Sequence, residues 1–174
     1  MLEGGHQIFR DARREDRATL EEIIQKSFRH GIYTFFARRS LKSAPKVIVS
    51  EMHGKVAGFA EPKVVRIGAR TIGNILWIAV HPDYRRRGVA TALVDECVRY
   101  LSENRAGDVF ISVEPNNLPA FELFESRGFR KVRPDEIGKT FGLRRMSFYS
   151  KLLIAPHEVV LVRSSNALKG PFST

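Results

Sequence analysis

The sequence has little cysteine and no long hydrophobic run, and both absences exclude whole classes of protein. Its single cysteine, Cys97, rules out an internal disulfide and any zinc site built from several cysteines. The five histidines are scattered and form no paired ligand motif, so we predict no metal. No stretch approaches the roughly 20 apolar residues of a membrane span, and the first residues have no signal-peptide core. We therefore expect a cytoplasmic protein without membrane contact.

The common phosphate-binding loops and internal repeats are also missing. No glycine-rich segment ends in Gly-Lys-Ser/Thr, and no G-x-G-x-x-G run occurs. Of the 174 residues, 43% are apolar, which is typical of one folded domain with a continuous core.

Acidic residues are few compared with basic ones. The chain has 29 Lys and Arg against 19 Asp and Glu, a formal net charge of +10. Such a balance favours an anionic partner: nucleic acid, an acidic surface or a phosphorylated small molecule. A basic surface that serves only solubility is the alternative.

The hydrophobic periodicity predicts strands alternating with helices, an α/β fold of about seven strands and four helices. We expect a tight turn at His53-Gly54 and a bulge or bend at Pro62. The segment 31–45 is either a second short helix or an ordered loop. The predicted strands are 7–12, 46–52, 55–65, 70–80, 107–115, 129–133 and 143–154, and the other predicted helices are 14–30, 88–102 and 116–128.

Three arginines, Arg85 to Arg87, stand directly before Gly88 at the start of a predicted helix. The first turn of a helix has unpaired N–H groups and a partial positive charge, so it binds anions. Gly88 would let an anion approach the backbone, and Ala90 keeps the next exposed turn small. Arginine forks suit phosphate oxygens. We expect a pyrophosphate here; a solvated basic turn is the other interpretation.

Residues 85–90 resemble the Q/R-x-x-G-x-G/A signature of the GNAT superfamily of N-acetyltransferases, and "IAVHPDY" resembles the strand and turn before it. A second block, "VEPNNLPAFELFESRGFRKV", is similar to another segment of that family. The residues that match it are Asn117, Ala120, Leu123, Gly128 and Phe129. The chain is identified as a member over about residues 7–153. This predicts a GNAT-like domain at 1–154 and a tail at 155–174, in which "HEVVLVR" could add one strand.

The resemblance implies a fold, a cofactor and a reaction. The fold is a mixed, mostly antiparallel sheet whose fourth and fifth strands splay apart. The co-substrate is acetyl-CoA, which a neutral amine attacks directly to release a thiolate, with positioning and oxyanion stabilisation supplying most of the catalysis. The cofactor-binding residues it implies are Ile78, Ala79 and Val80 for pantetheine, Arg85, Arg86, Arg87, Gly88, Val89 and Ala90 for pyrophosphate, and Asn117 and Phe124 from the second block.

Three positions lack the titrating group that family members use. Phe124 stands where many members have a proton-donating tyrosine. Ser112 and Asn74 stand where ribosomal-protein-type and histone-type members, respectively, have glutamate. The proton route must therefore use other groups, and water ordered by Asn74 and Ser112 is one candidate.

Three other residues are candidates for the same role. They are Tyr149 on the predicted last strand, Glu61 on the third strand and His81 at the turn. Each also has a structural interpretation: a surface carboxylate for Glu61, a core or rim aromatic for Tyr149 and a turn residue for His81.

The acceptor is inferred from amine basicity. An α-amine with a pKa near 7.7 is about one-fifth neutral at pH 7, whereas a lysine amine near 10.4 is neutral about once in 2,500. A site without a dedicated base therefore favours a protein N-terminus or another low-pKa amine. An acyl-CoA-binding protein without turnover and a basic RNA- or ribosome-binding module are the alternatives. The chain could be a monomer or a homodimer.

Overall fold

The computed structural model describes residues 7–28 and 31–164. Its contacts divide the chain into two compact units. The first unit contains Met1–Pro62 and Trp77–Cys97, and the second contains Lys63–Leu76 and Val98–Thr174. Each is described by itself below.

The strands of the described residues are β1 (Gln7–Asp11), β2 (Ile48–Met52), β3 (Lys55–Ile67), β4 (Arg70–Val80), β5 (Val109–Val113), β6 (Arg130–Lys131) and β7 (Val159–Arg163). These seven form one sheet in the order β1-β2-β3-β4-β5-β7-β6. The β1–β2, β2–β3, β5–β7 and β6–β7 pairs are antiparallel, and β4–β5 is parallel. This confirms the expected mixed, mostly antiparallel sheet.

The helices include two that the sequence did not predict. The segment 31–45 contains the short helix α2 (Gly31–Leu41), one of its two predicted alternatives. The helices α5 (Pro134–Phe141) and α6 (Arg145–Leu152) are additional. The α-helices are α1 (Arg17–Ser27), α2 (Gly31–Leu41), α3 (Val89–Glu103), α4 (Leu118–Ser126), α5 (Pro134–Phe141) and α6 (Arg145–Leu152).

The parallel ladder between β4 and β5 is short. It comprises the pairs Gly73–Val109 and Asn74–Phe110, whereas β4 itself continues to Val80. This is the splay expected between the fourth and fifth strands.

The strand predicted at residues 143–154 is wrong, because this segment forms α6. Phe148 and Leu152 lie four positions apart and are both buried, while Met146 is 70% exposed. That pattern places one face of a helix in the core, whereas a strand would bury alternate residues. The extra strand predicted in the tail is present as β7, which pairs with both β5 and β6. Residues 165–174 of the tail lie outside the described residues, and the boundary after residue 154 stays a prediction.

Each unit has its own hydrophobic core. In the first, α1 and α2 cover one face of the strands, and the apolar residues of α1 recur at helical spacing. In the second, aromatic rings of β5, α5 and α6 pack against one another, with the β5 ring edge to face on the other two. The buried residues of the first core include Leu20, Ile23, Ile24, Ala37, Val49, Phe59 and Ala79, and those of the second include Phe110, Phe141 and Phe148. Cys97 is fully buried, and burial raises its pKa, which fits a core residue and not a nucleophile.

The N-terminal strand is tied to α1 by a partly buried ion pair. Nη1 and Nη2 of Arg10 donate to Asp16, at 2.7 and 2.9 Å, and the Arg13 amide donates to the same carboxylate at 2.6 Å. Asp16 is only 5% exposed. The hydrogen bonds from Arg10, followed by that from the Arg13 amide, hold the pKa of Asp16 below its usual range against the opposing effect of burial.

We expect Asp16→Asn to lower the free energy of unfolding by about 2 to 3 kcal/mol at neutral pH, because Nη1 and Nη2 of Arg10 lose their charged partner and only Nε keeps one, in Glu51. Since folding lowers this pKa, the contribution is complete above the unfolded value of about 3.9 and is lost as the pH falls towards the folded value. Urea denaturation of both proteins between about pH 7 and pH 3 measures this. A difference that stays constant over that range would contradict the assignment.

Candidate functional site

The turn between β4 and α3 is held by local hydrogen bonds. The Asp83 amide donates to Nδ1 of His81 at 3.3 Å, and the Tyr84 amide donates to the His81 carbonyl at 2.9 Å. The His81 ring is 9% exposed and faces α1, with Nε2 3.3 Å from Nζ of Lys26. His81 is therefore anchored as a turn residue.

The loop that follows has left-handed backbone at two positions. Arg86 has φ of 60° and Gly88 has φ of 80°. A Cβ at Gly88 would meet no heavy atom within 4 Å, so the space beside this backbone is open. The Ala92 amide donates to the Gly88 carbonyl at 3.0 Å, which is the first hydrogen bond of α3. The amides of Val89 and Ala90 come before it, in the helix turn whose amides have no intrahelical acceptor. Open space, helix-start amides and neighbouring arginines suit an anion such as a pyrophosphate.

The three arginines of this loop differ in what they contact. Nε of Arg85 donates to the Val80 carbonyl at 3.2 Å, and its Nη2 donates to Oγ of Ser27 at 3.3 Å. Its guanidinium therefore joins the end of β4 to the end of α1. Arg86 and Arg87 are exposed, and Cζ of Arg87 lies 5.7 Å from the ring centre of Tyr84. Contact of all three with a phosphate stays a prediction, for which Arg86 and Arg87 are better placed than Arg85.

The end of β4 is fixed by its neighbours. Ala79 is buried, and Ile78 and Val80 are half-buried. The Val80 carbonyl accepts from Arg85 and, at 3.5 Å, from Ser27. A Cβ at Gly58 of β3 would lie 2.8 Å from the Ala79 carbonyl oxygen, so only glycine fits without a shift. The backbone at the end of β4 is therefore held by contacts from three sides of the first unit: Arg85, Ser27 and β3.

Glu61 is buried, contrary to the expectation of a surface carboxylate, and is only 2% exposed. Oγ of Ser40, on α2, lies 2.6 and 2.8 Å from its two carboxylate oxygens. Sequence reasoning missed Ser40, because nothing in the segment 31–45 indicates which residue of β3 it would face.

The predicted catalytic residues of the second unit take part in its internal packing. Asn74 is 2% exposed, and its Nδ2 donates to the Leu152 carbonyl at 3.4 Å. Ser112 is half-buried on β5 opposite Val160. Tyr149 lies on α6 and not on a strand, with its ring centre 5.4 Å from that of Phe148. Asn74 thus contacts the end of α6, and Tyr149 is part of that helix.

The two residues predicted from the second block have separate places in the second unit. Asn117 is exposed at the N-cap of α4, where its Oδ1 accepts from the Ala120 amide at 3.3 Å. Phe124 is 1% exposed, and its ring packs edge to face against Phe129 at 5.3 Å. Their cofactor contacts stay predictions.

A family comparison decides the classification. Residues 6–129 match the model of the acetyltransferase (GNAT) family, and this range contains the loop described above. The chain belongs to the GNAT family.

The named relatives of this GNAT chain include N-acetyltransferases. It is 29% identical over 111 residues to an N-alpha-acetyltransferase of Sulfurisphaera tokodaii, covering 58% of this chain and 66% of that one. It is 35% identical over 80 residues to the ribosomal protein bS18 alanine N-acetyltransferase of Escherichia coli, covering 46% and 51%. The matches thus span between half and just under two thirds of these relatives.

Solved structures support the GNAT fold over nearly the whole chain. A structure of the NatC complex bound to Gag peptide and CoA matches with a TM-score of 0.69, covering 92% of this chain and 99% of that one at 16% identity. At this identity the likeness bears on the fold alone.

The described part of the GNAT chain has neither a metal-binding cluster nor a membrane-spanning helix. In 7–28 and 31–164, no three His, Cys, Asp or Glu side chains are grouped so as to hold a metal ion. No helix in the same ranges has the length and apolar character needed to cross a membrane.

Proposed function

We propose that this GNAT protein transfers the acetyl group of acetyl-CoA to an amine, and that its acceptor is the α-amine of a protein N-terminus. The observation that carries the proposal is the start of α3, where Gly88 combines left-handed backbone with open space. Together with the family membership, this favours a pyrophosphate-bearing co-substrate at this loop.

The residues present fit acetyl-CoA. The amides of Gly88, Val89 and Ala90 would hold the pyrophosphate, and Arg86 and Arg87 would add charge-assisted hydrogen bonds. The backbone of Ile78–Val80 would align the pantetheine. The thioester supplies the activated acetyl group, so the chain's own work is to bind, orient and exclude water.

The α-amine is supported by basicity and by the relatives' names. An α-ammonium gives up its proton far more readily than a lysine ammonium. Asn74, Ser112 and Phe124 do not titrate near neutral pH, which favours an acceptor that needs little help in losing its proton. The relatives above are named as an N-alpha-acetyltransferase and as a ribosomal protein bS18 alanine N-acetyltransferase.

One alternative differs from the proposed function in its turnover. An acyl-CoA-binding protein without turnover would bind acetyl-CoA and release no CoA. Contact with RNA or the ribosome through the basic surface, a cytoplasmic location, and a monomeric or homodimeric state all stay predictions.

The test measures CoA release with a thiol reagent over a panel of acceptors. The panel contains a peptide with a free N-terminus, the same peptide with a blocked N-terminus and an internal lysine, and spermidine. We expect release with the first and little with the other two. Acetyl-CoA binding without release for any acceptor would support the acyl-CoA-binding alternative, and efficient acetylation of spermidine would contradict the α-amine proposal.

A further inference from the structure

Basic charge is concentrated in two segments of the second unit. The segment 63–76, which contains the end of β3 and the start of β4, has three Lys or Arg residues and no Asp or Glu. The segment 139–157, which contains α6, has four and likewise no acidic residue. Seven of the 29 basic residues and none of the 19 acidic ones therefore lie in these two segments.

Hydrogen bonds bring the two segments together at one edge of β3. Nζ of Lys151 donates to the Arg66 carbonyl at 2.9 Å, and Nζ of Lys63 donates to the Lys151 carbonyl at 3.5 Å. The Arg144 guanidinium lies against Gly68, where an added Cβ would clash with it. The helix α6 and the turn before it therefore lie along the end of β3, and their cations meet those of the strand.

This edge of β3 has no neighbouring strand. The strand β2 pairs with β3 only as far as Ala60, so the described pairings leave residues 63–67 without a strand partner on that side. An open strand edge can accept an extended chain through its backbone groups. We call the cations around it the basic edge, in which Lys63 is half-buried and the others are exposed. They are Lys63, Arg66, Arg144 and Lys151.

The basic edge makes no ion pair within the described residues. Arg99, Arg130 and Lys139, in the same unit, each have a carboxylate partner. In residues 7–28 and 31–164, no such partner is present for the four cations of the basic edge. Like charges that lie close together repel one another, so an anionic group bound among them would be stabilised.

The surroundings of the basic edge favour an acidic peptide as its partner. Asn74, at a predicted catalytic position, donates to the carbonyl of Leu152, the residue after Lys151. The basic edge therefore begins beside that position, where the chain of an acceptor protein would continue away from its amine. The exposed apolar side chains next to the cations are aliphatic, since Val64 is 38% exposed and Leu143 is fully exposed. Sites for single-stranded nucleic acid instead combine cations with aromatic rings that stack on the bases.

We propose that the basic edge binds an acidic segment of the acceptor protein, a few residues after its N-terminal amine. The carboxylates of the segment pair with the four cations, and its extended backbone lies along the open edge of β3. This inference rests on the proposed function and narrows its substrate class to N-termini that are followed by acidic residues. Polyamines and basic N-termini are poor acceptors for the same reason.

A matched pair of peptides tests the preference. Both begin with the same three residues, so that their α-amines are alike, and the next five contain either three Glu or three Gln. We expect kcat/KM to be about 10-fold higher for the acidic peptide at about 0.05 M salt, through a lower KM and not a higher kcat. At about 0.5 M salt the ratio should fall below about twofold, because salt screens exposed charges. Equal kcat/KM for the two peptides at low salt would overturn the inference.

Charge reversal at the basic edge should reduce that preference. We expect Arg66→Glu and Lys151→Glu each to lower the ratio of the two kcat/KM values about threefold or more. The Arg66 side chain is exposed and makes no hydrogen bond within the described residues, so its replacement preserves the fold. Lys55→Glu is the matched control, since Lys55 is exposed at the other end of β3, and the ratio should stay that of the wild type. Equal losses in all three variants, or none in the first two, would overturn the inference.

Binding without turnover separates this inference from the proposed function. The acidic peptide, acetylated at its N-terminus and carrying a fluorophore at its C-terminus, is titrated with the intact protein and followed by anisotropy. We expect saturable binding that Arg66→Glu and Lys151→Glu weaken and Lys55→Glu does not. Such binding without acetylation of either free peptide would sink the proposed function and leave the acidic docking site standing. Tighter binding of a short single-stranded RNA with the same number of charges would overturn the inference, since the edge would then be a nucleic-acid site.

Discussion

Gly88→Glu should weaken the binding of acetyl-CoA at least about 100-fold, which corresponds to about 2.7 kcal/mol. With φ of 80°, this position favours glycine, and any L side chain adds about 1 to 2 kcal/mol of strain. The new side chain would also enter the open space beside the helix-start amides, where its carboxylate repels a pyrophosphate. Calorimetric titration of acetyl-CoA measures the effect.

Gly54→Glu is the matched control. Gly54 has φ of 73° and likewise meets no heavy atom within 4 Å of an added Cβ, but it lies in the β2–β3 turn. The Glu side chain there adds the same strain and the same change of charge, but not at the α3 loop. We therefore expect near-wild-type affinity for acetyl-CoA. Equal losses in the two variants would mean that strain or net charge, and not a phosphate site, explains the first result.

Phe148→Ala should lower the free energy of unfolding by about 3 to 5 kcal/mol. Phe148 is fully buried, with ring centres 5.0 Å from Phe110 and 4.8 Å from Phe141. It therefore holds α6 against β5 and α5, and truncation leaves a cavity that this aromatic cluster cannot fill without rearranging. Urea denaturation followed by circular dichroism measures the loss.

Leu143→Ala provides the comparison for that variant. Leu143 lies just before α6 and is fully exposed, so we expect a change below about 0.5 kcal/mol. A loss for Phe148→Ala no larger than this would contradict the packing described for the second unit.

The sequence predicted the parts of the fold that depend on local chemistry. The turn after β4 and the start of α3 follow from Pro82, Gly88 and the apolar spacing behind them, all within a few residues. The β2–β3 turn at His53-Gly54 is as predicted, with both residues at positive φ. Such features need no knowledge of distant contacts.

The features that depend on distant contacts could not be read in the same way. Glu61 is buried because α2 places Ser40 on it, across 21 positions of the chain. Arg85 is a residue type that binds phosphate, but its guanidinium donates hydrogen bonds to the Val80 carbonyl and to Ser27. The local propensities of the α6 residues are compatible with a strand, and packing against the aromatic core of the second unit stabilises a helix instead.

The most direct test is to locate the acetyl group on a peptide that offers both kinds of amine. A peptide with a free N-terminus and an internal lysine is incubated with the intact protein and acetyl-CoA, and the product is fragmented in a mass spectrometer. The account predicts one acetyl group, on the α-amine. Acetylation of the lysine, or an unmodified peptide with a protein that binds acetyl-CoA, would contradict it.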